Sequence, residues 1–327
     1  MRAITVDPSD MSLAWSEVAE PVMSPDEVLI EIYASGVNRA DILQRAGNYP
    51  PPPGAPEWMG LEVSGIIAEI GEAVPKEAGL VKGMRVCALL GGGGYAERVG
   101  VPYGNVMPLP ENLSFTEGAA IPEVYATAYL NLIFEAKAKK GETLLVTAGA
   151  SGLAGAIIPM AKLFGLYVIT TVRNDEYAEA IRPLGADVIV NTARTPLADA
   201  LKAQSDAGHP IDIAIDCVGG EEMGTYLPYM AYAGRWIVIA ALAGSRTTVD
   251  LRTIYKKNIR VIGSTLRSRA PEVKAELLKS LVRDVFPCIT DGTLRPKICA
   301  AFPIEQAEKA HDTMNGRHVG KVVLTVR

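Results

Sequence analysis

The sequence predicts an α/β protein: a doubly wound parallel sheet in the middle of the chain, attached to a β-rich region that precedes it. Between Thr143 and Thr265 six short apolar segments alternate with helical ones, the pattern of a parallel sheet covered on both faces. The first third instead alternates polar and apolar residues, as in Glu27–Ala34 (EVLIEIYA), the period of a half-buried strand. The first apolar segment of the middle region runs directly into a turn of small residues, Thr147–Gly155 (TAGASGLAG), which opens a helix.

Taken in order, the strand Glu27–Ala34 is followed by strand candidates at Val63–Ile70 and Met84–Leu89. Between them Asn48–Pro56 holds four prolines in succession. Proline can neither continue a helix nor donate to a ladder, so this is a stiff loop. Gly91–Gly94 is a second loop. Ser114 and Glu117 have the spacing of a capping box, and Glu123–Lys139 reads as a helix. Strands are then expected at Thr143–Thr147, Tyr167–Val172, Asp187–Asn191, Ile211–Asp216, Arg235–Leu242 and Arg260–Thr265. Helices are expected at Leu153–Phe164, Asp175–Leu184, Pro196–Gln204 and Glu221–Ala231, the first with Pro159 inside it. Right-handed crossovers through such units give a doubly wound sheet. The tail reads as a helix Pro271–Val285, a strand Leu294–Ala300, a helix Ile304–Met314 and a strand Val319–Val326.

Size and composition bound the function. A chain of 327 residues suggests two domains. With 32 Lys and Arg against 37 Asp and Glu, the net charge is −5, which gives no general attraction to nucleic acid or anionic lipid. No apolar run reaches the roughly 18 residues of a membrane helix. The first residues lack the apolar core of a secretory signal, so the cytoplasm is the expected location. The four cysteines, Cys87, Cys217, Cys288 and Cys299, form no CxxC pair and lie far from the three histidines. They offer no structural zinc cluster and are expected to be inert thiols.

The Gly-rich turn is the sharpest local signal. Small residues let the backbone approach a pyrophosphate, and the N–H groups and dipole of the following helix favour the anion. Ser151 could add its hydroxyl. At the end of the second strand, about 20 residues on, NAD-binding proteins place an acidic side chain for the ribose. Here Arg173 stands there, a guanidinium suited to a 2′-phosphate and hence to NADPH. Asp175 follows closely and could still serve a ribose, so both readings stay open at this point.

The whole chain resembles the zinc-independent quinone oxidoreductases, the zeta-crystallin group of the medium-chain dehydrogenase/reductase superfamily. The matching stretches are Gly36–Asp41 (GVNRAD), Arg45–Gly54 (RAGNYPPPPG), Gly60-Leu61-Glu62, the Gly-rich turn, Asp212–Gly219 (DIAIDCVG), Gly263–Arg269 (GSTLRSR) and Val319–Val323 (VGKVV). The resemblance implies a GroES-like catalytic domain of residues 1–121 and 265–327 and a Rossmann domain of 122–264 with strand order 3-2-1-4-5-6. It also implies a cofactor in the cleft between them and a homodimer joined through edge strands. Zinc relatives carry Cys where this chain has Asn38, and Gly-His-Glu where it has Gly60-Leu61-Glu62, so no zinc is expected.

Carried over by motif, the cofactor contacts are Ala148, Ser151, Gly152 and Leu153 at the turn, with Ala148, Ser151 and Ala154 standing where the family has AxxGxxG. Arg173 and Tyr177 would face the 2′-phosphate. Asn191, Cys217 and Val218 would follow the sheet edge, and Ala240, Ala241, Leu242, Ser264, Thr265 and Leu266 would form the nicotinamide wall. Lys321 would reach in from the tail. The implied reaction is hydride transfer from NADPH to a quinone or an enone. Asn38 and Tyr49 are the candidates for hydrogen bonds to the acceptor oxygen, and Thr127 for positioning the nicotinamide. Each has a plainer alternative: Asn38 as a helix cap, Tyr49 as a lid aromatic, Asp41 and Arg45 as an i, i+4 pair, and Glu62 as a structural carboxylate. Rival functions are a 2-enoyl or α,β-unsaturated ketone reductase, in which Tyr49 would donate a proton, and a non-catalytic dinucleotide-binding sensor or structural protein.

Overall fold

In the computed structural model, which describes residues 1–327, the chain divides into two compact units. One is Met1–Ala126 with Leu266–Arg327, the other Thr127–Thr265.

The first unit opens with an antiparallel pair, β1 (Arg2–Val6) and β2 (Leu13–Glu17). The long strand β3 (Glu27–Val37) leads through Asn38 into α1 (Arg39–Arg45). Then come β4 (Glu62–Ile70), β5 (Arg85–Leu89), β6 (Arg98–Pro102) and β7 (Val106–Pro108). Strict alternation of buried Val28, Ile30 and Ile32 along β3 turns one face to a core that includes Val63, Ile67, Val86 and Val99. The expected capping box forms: Ser114 Oγ accepts the Glu117 N–H at 3.2 Å, and Glu117 Oε2 accepts the Ser114 N–H at 2.9 Å, starting α2 (Phe115–Gly118).

The next helix is shorter than expected. α3 (Pro122–Tyr129) gives way to a π turn at Leu130–Glu135, in which the Ala136 N–H reaches back to the Asn131 carbonyl. The Asn131 side chain donates to the Thr127 carbonyl at 2.8 Å, competing with the regular ladder one turn back.

The second unit is one six-stranded parallel sheet. It contains β8 (Thr143–Val146), α4 (Gly152–Leu163), β9 (Tyr167–Val172), α5 (Asp175–Ile181), β10 (Val188–Asn191), α6 (Leu197–Asp206), β11 (Ile211–Asp216), α7 (Met223–Tyr226), β12 (Met230–Val238), α8 (Leu251–Lys257) and β13 (Arg260–Gly263). The order β10-β9-β8-β11-β12-β13 is the expected 3-2-1-4-5-6. α4 continues through Pro159 as the sequence suggests. Two elements change most. The helix expected at Glu221–Ala231 shrinks to α7 and a 3-10 turn, Leu227–Tyr229, because Pro228 cannot extend it. β12 starts five residues earlier than predicted and ends at Val238. Beyond it Leu242 and Ala243 donate their N–H groups to Cys217 and Val218, so the segment follows the neighbouring loop.

The tail supplies α9 (Pro271–Asp284), α10 (Phe286–Thr290), β14 (Ile298–Pro303), α11 (Ala307–Asn315) and β15 (Lys321–Thr325). β15 lies antiparallel to β3, with Val322 opposite Val37, and so joins the first unit's sheet, β14-β15-β3-β4-β5-β7, in which β6 also pairs with β3. The strand expected at Leu294–Ala300 begins instead at Ile298, after Pro296. No helix is long and apolar enough to cross a membrane.

Candidate functional site

In the second unit the predicted contacts gather on the sheet's carboxyl edge. All six strands are parallel, so the segments following them emerge on one side: the Gly-rich turn, Arg173, Asn191, Cys217–Val218, Ala240–Leu242 and Ser264–Thr265. The strand order reverses between β8 and β11, and there the two loops are laced together. Thr147 Oγ1 donates to Asp216 Oδ1 at 2.9 Å and accepts the Cys217 N–H at 3.0 Å. The same Asp216 oxygen holds the Val218 and Gly219 N–H groups, and its other oxygen accepts Trp236 Nε1 at 3.2 Å. Asp216, 2 % exposed, thus shapes the crevice from below. The sequence singles out the stretch containing it but not its carboxylate.

The turn itself corrects the reading frame. A Cβ on Gly149 would lie 2.4 Å from Thr170 Oγ1 and 2.9 Å from Ile181 Cδ1. Thr170 cannot yield, since it is fully buried and donates to the Val146 carbonyl. The obligatory glycine is therefore Gly149, and the three-residue rhythm runs Gly149, Gly152, Gly155 rather than Ala148, Ser151, Ala154. Ala148 takes φ +55° and its N–H donates to Thr171 Oγ1. Ser151 is the helix cap, its Oγ accepting the Ala154 N–H at 3.1 Å. The N–H groups of Gly152 and Leu153, in the first turn of α4, have no intrahelical acceptor. Ser264 is 5 % exposed with its hydroxyl unclaimed, and its N–H donates to the Val238 carbonyl. This cradle, with donors to spare at a helix N-terminus, fits a dinucleotide pyrophosphate.

Arg173 is exposed, just past β9. Asp175 is otherwise engaged: Oδ1 accepts Asn191 Nδ2 at 2.7 Å and Oδ2 pairs with Arg194. Asn191 therefore supports Asp175 instead of pointing unclaimed at a ligand. Tyr177 is half-buried, and its N–H is bound by the Asn174 cap. Cys217 is half-buried, and burial pushes its thiol up to about 11 and leaves it protonated. Thr127, half-buried in α3, gives its carbonyl to Asn131. Thr265 ends the second unit, and Leu266, 5 % exposed, begins the return to the first.

In the first unit the expected site residues Asn38 and Lys321 meet around Glu62. Glu62 is fully buried at the start of β4. Its Oε1 accepts Lys321 Nζ at 2.5 Å and Asn38 Nδ2 at 2.9 Å, and its Oε2 accepts the Glu123 N–H at 2.8 Å. Lys321 also donates to Asn38 Oδ1 at 2.7 Å and to the Val37 carbonyl at 2.9 Å. Gly36 makes room, for a Cβ there would lie 2.3 Å from Glu62 Oε1. Both of the expected site residues are engaged by the protein itself. The Asn38 amide donates to Glu62 and Gly36 and is committed to the protein in this structure. Three acceptors, the Val37 carbonyl, Asn38 Oδ1 and Glu62 Oε1, surround the Lys321 ammonium within this unit.

Asp41 and Arg45 do not pair. Asp41 is fully buried; it accepts the Asn38 and Gly60 N–H groups, and Tyr95 Oη lies 3.3 Å away. Burial raises its carboxyl to about 6 against the pull of those donors. Arg45 pairs instead with Glu308 at 2.7 Å. Glu123 is pushed up to about 7, first by burial and then by Glu62. Tyr49 is half-buried beneath Arg267, and burial raises its phenol above the usual value.

A catalytic zinc does not fit these residues. Leu61 is buried and offers no donor, and Asn38 Oδ1 is occupied by Lys321.

Known proteins agree with this architecture. Residues 24–111 match the alcohol dehydrogenase GroES-like domain and residues 152–283 the family described as zinc-binding dehydrogenase. The chain is 31 % identical to the quinone oxidoreductase of Mus musculus, across 99 % of this chain and 97 % of that one. It is 32 % identical to that of Sus scrofa, covering 94 % and 92 %. Among solved structures, the quinone oxidoreductase of Thermus thermophilus, also described in complex with NADPH, superimposes with a TM-score of 0.82 at 31 % identity over the full length of both chains. The chain belongs to the quinone oxidoreductase, zeta-crystallin-like, family of the medium-chain dehydrogenase/reductase superfamily.

Proposed function

We propose that the protein is a zinc-independent NADPH:quinone oxidoreductase that works as a homodimer. The observation that carries this reading is the nucleotide edge itself. A glycine cradle leaves its first-turn N–H groups unclaimed, and Arg173 stands open while the nearby Asp175 is bound by Asn191 and Arg194. Relatives of about 30 % identity named quinone oxidoreductases support the acceptor class.

Reduced nicotinamide, when bound, supplies the hydride, and the protein supplies orientation and hydrogen bonds. Gly152 and Leu153 N–H groups would hold the pyrophosphate, Arg173 the 2′-phosphate, and the Ser264 hydroxyl a polar group of the nicotinamide half. With Asn38 committed elsewhere, the phenol of Tyr49 is the remaining candidate donor to the acceptor oxygen, and its raised pKa keeps it protonated at neutral pH. A quinone accepts hydride readily and its reduced form can take its proton from water, so Tyr49→Phe should cost less than about tenfold in turnover. Steady-state rates of that variant test this; a loss of three orders of magnitude would make Tyr49 an essential acid and favour the enone reductase. Arg173→Ala should weaken NADPH binding by about tenfold or more, on the scale of a charge-assisted phosphate contact, and leave NADH unchanged. Equal loss for both cofactors in fluorescence titrations would remove Arg173 from the 2′-phosphate site.

A further inference from the structure

Arg267 stands one residue after the chain re-enters the first unit, and it is 4 % exposed. Its guanidinium reaches three separate segments. Nε donates to the Gly91 carbonyl at 2.8 Å, Nη1 to the Tyr49 carbonyl at 3.1 Å, and Nη2 to Gln44 Oε1 at 2.6 Å. Its carbon lies 5.1 Å from the centroid of the Tyr49 ring. Gln44, on α1, uses its other end to donate to the Glu57 carbonyl at 2.7 Å. The two side chains therefore hold the proline loop at both ends, Tyr49 on one side and Glu57 on the other. The loop needs this, because Pro50 to Pro53 have no N–H with which to hold it in a ladder. Lys274 Nζ, 6 % exposed on α9, donates to the Arg267 carbonyl at 2.7 Å and fixes the backbone from which the fork extends.

We propose that Arg267 and Gln44 form a clasp that sets the position of Tyr49 and the proline loop and so determines which acceptors the enzyme takes. The specificity part rests on the reading that Tyr49 faces the acceptor; the clasp itself rests on the contacts above. Arg267 is thus a positioning residue, and lysine cannot replace it: an ammonium carries the charge but not a planar fork aimed in three directions.

The test uses the full-length protein and Arg267→Lys, with Gln44→Ala as the second variant should the first fail to fold. Hydrogen exchange of the amides between Gly47 and Trp58 should speed up at least tenfold, while the strands of both sheets keep their protection. KM for one-, two- and three-ring quinones should rise about tenfold or more for at least one acceptor and change their ranking, with kcat for the others within about threefold and NADPH affinity unchanged. Unchanged loop exchange in both variants overturns the clasp. Loosened exchange with an unaltered order of acceptors overturns its role in specificity. A wild-type protein that reduces no quinone defeats the proposed activity and with it the specificity role, while exchange still decides the clasp.

Discussion

At the residue scale the unusual feature is charge placed where water is absent. Glu62 and Lys321 are both almost completely buried and tied to one another, to Asn38 and to backbone. Removing one member of such a pair leaves the other uncompensated, at a cost of about 3–5 kcal/mol. Lys321→Met and Glu62→Gln should each lower the unfolding free energy by about that amount in urea titrations, and the double variant should recover part of it; additive losses would contradict the pairing. Glu123 adds a pH signature. Its folded pKa of about 7 lies above the ordinary 4.5, so the folded state holds its proton more tightly. The stability this gives is complete below about pH 4.5 and is lost as pH rises through 7. Glu123→Gln should therefore gain on the wild type by roughly 1–3 kcal/mol between about pH 4.5 and 8, at about 1.36 kcal/mol per pKa unit; a difference that is flat with pH would remove burial as the cause. These roles are poorly legible in the sequence. Glu62 reads as structural and Asn38 as a possible cap, but Lys321 lies 259 positions from Glu62 and no local pattern links them. Identity alone does show that Leu61 cannot ligate a metal.

At the element scale, legibility follows the source of each element's boundary. The capping box at Ser114, the helix through Pro159 and the strands Tyr167–Val172 and Ile211–Asp216 are specified locally, and all appear as read. The π turn after Tyr129 goes with a local side-chain bond, Asn131 to the Thr127 carbonyl four residues back, that hydrophobic periodicity does not register, whereas the early start of β12 depends on a tertiary partner, Met230 beside Ile211. The short strands β1, β6 and β7 and the helix α8 also leave little local trace, being brief or adjacent to Gly and Pro. The turn after β8 is evident from its small residues, but its frame depends on the packing of Gly149 on Thr170. Gly149→Ala should destabilise the protein by about 1–3 kcal/mol, the usual cost of overpacking, and weaken NADPH binding more than Ala150→Ser does. Equal binding by the two variants, measured calorimetrically, would return the frame to Ala148.

At the scale of the whole molecule, periodicity and the crossover rule lead to a doubly wound parallel sheet, because each buried strand leaves a short apolar trace, while its 3-2-1-4-5-6 order follows from the family resemblance. Assembly leaves weaker traces. β13 ends its sheet with Val261 49 % exposed, an unpaired edge of the kind that strands of a second copy can extend. Light scattering should return twice the chain mass for the wild type and a shift toward the chain mass for Val261→Asp. A wild-type protein at the mass of one chain would argue against the dimer.

The central claim, hydride transfer from NADPH to a quinone without a metal, is tested most directly by following the loss of reduced-nicotinamide absorbance after chelator treatment, with NADPH and NADH each offered a quinone and an enone. The account predicts rapid oxidation of NADPH by the quinone, slower oxidation of NADH, and no effect of the chelator. Activity abolished by chelation and restored by zinc, or tight NADPH binding with no turnover on any quinone, would contradict it.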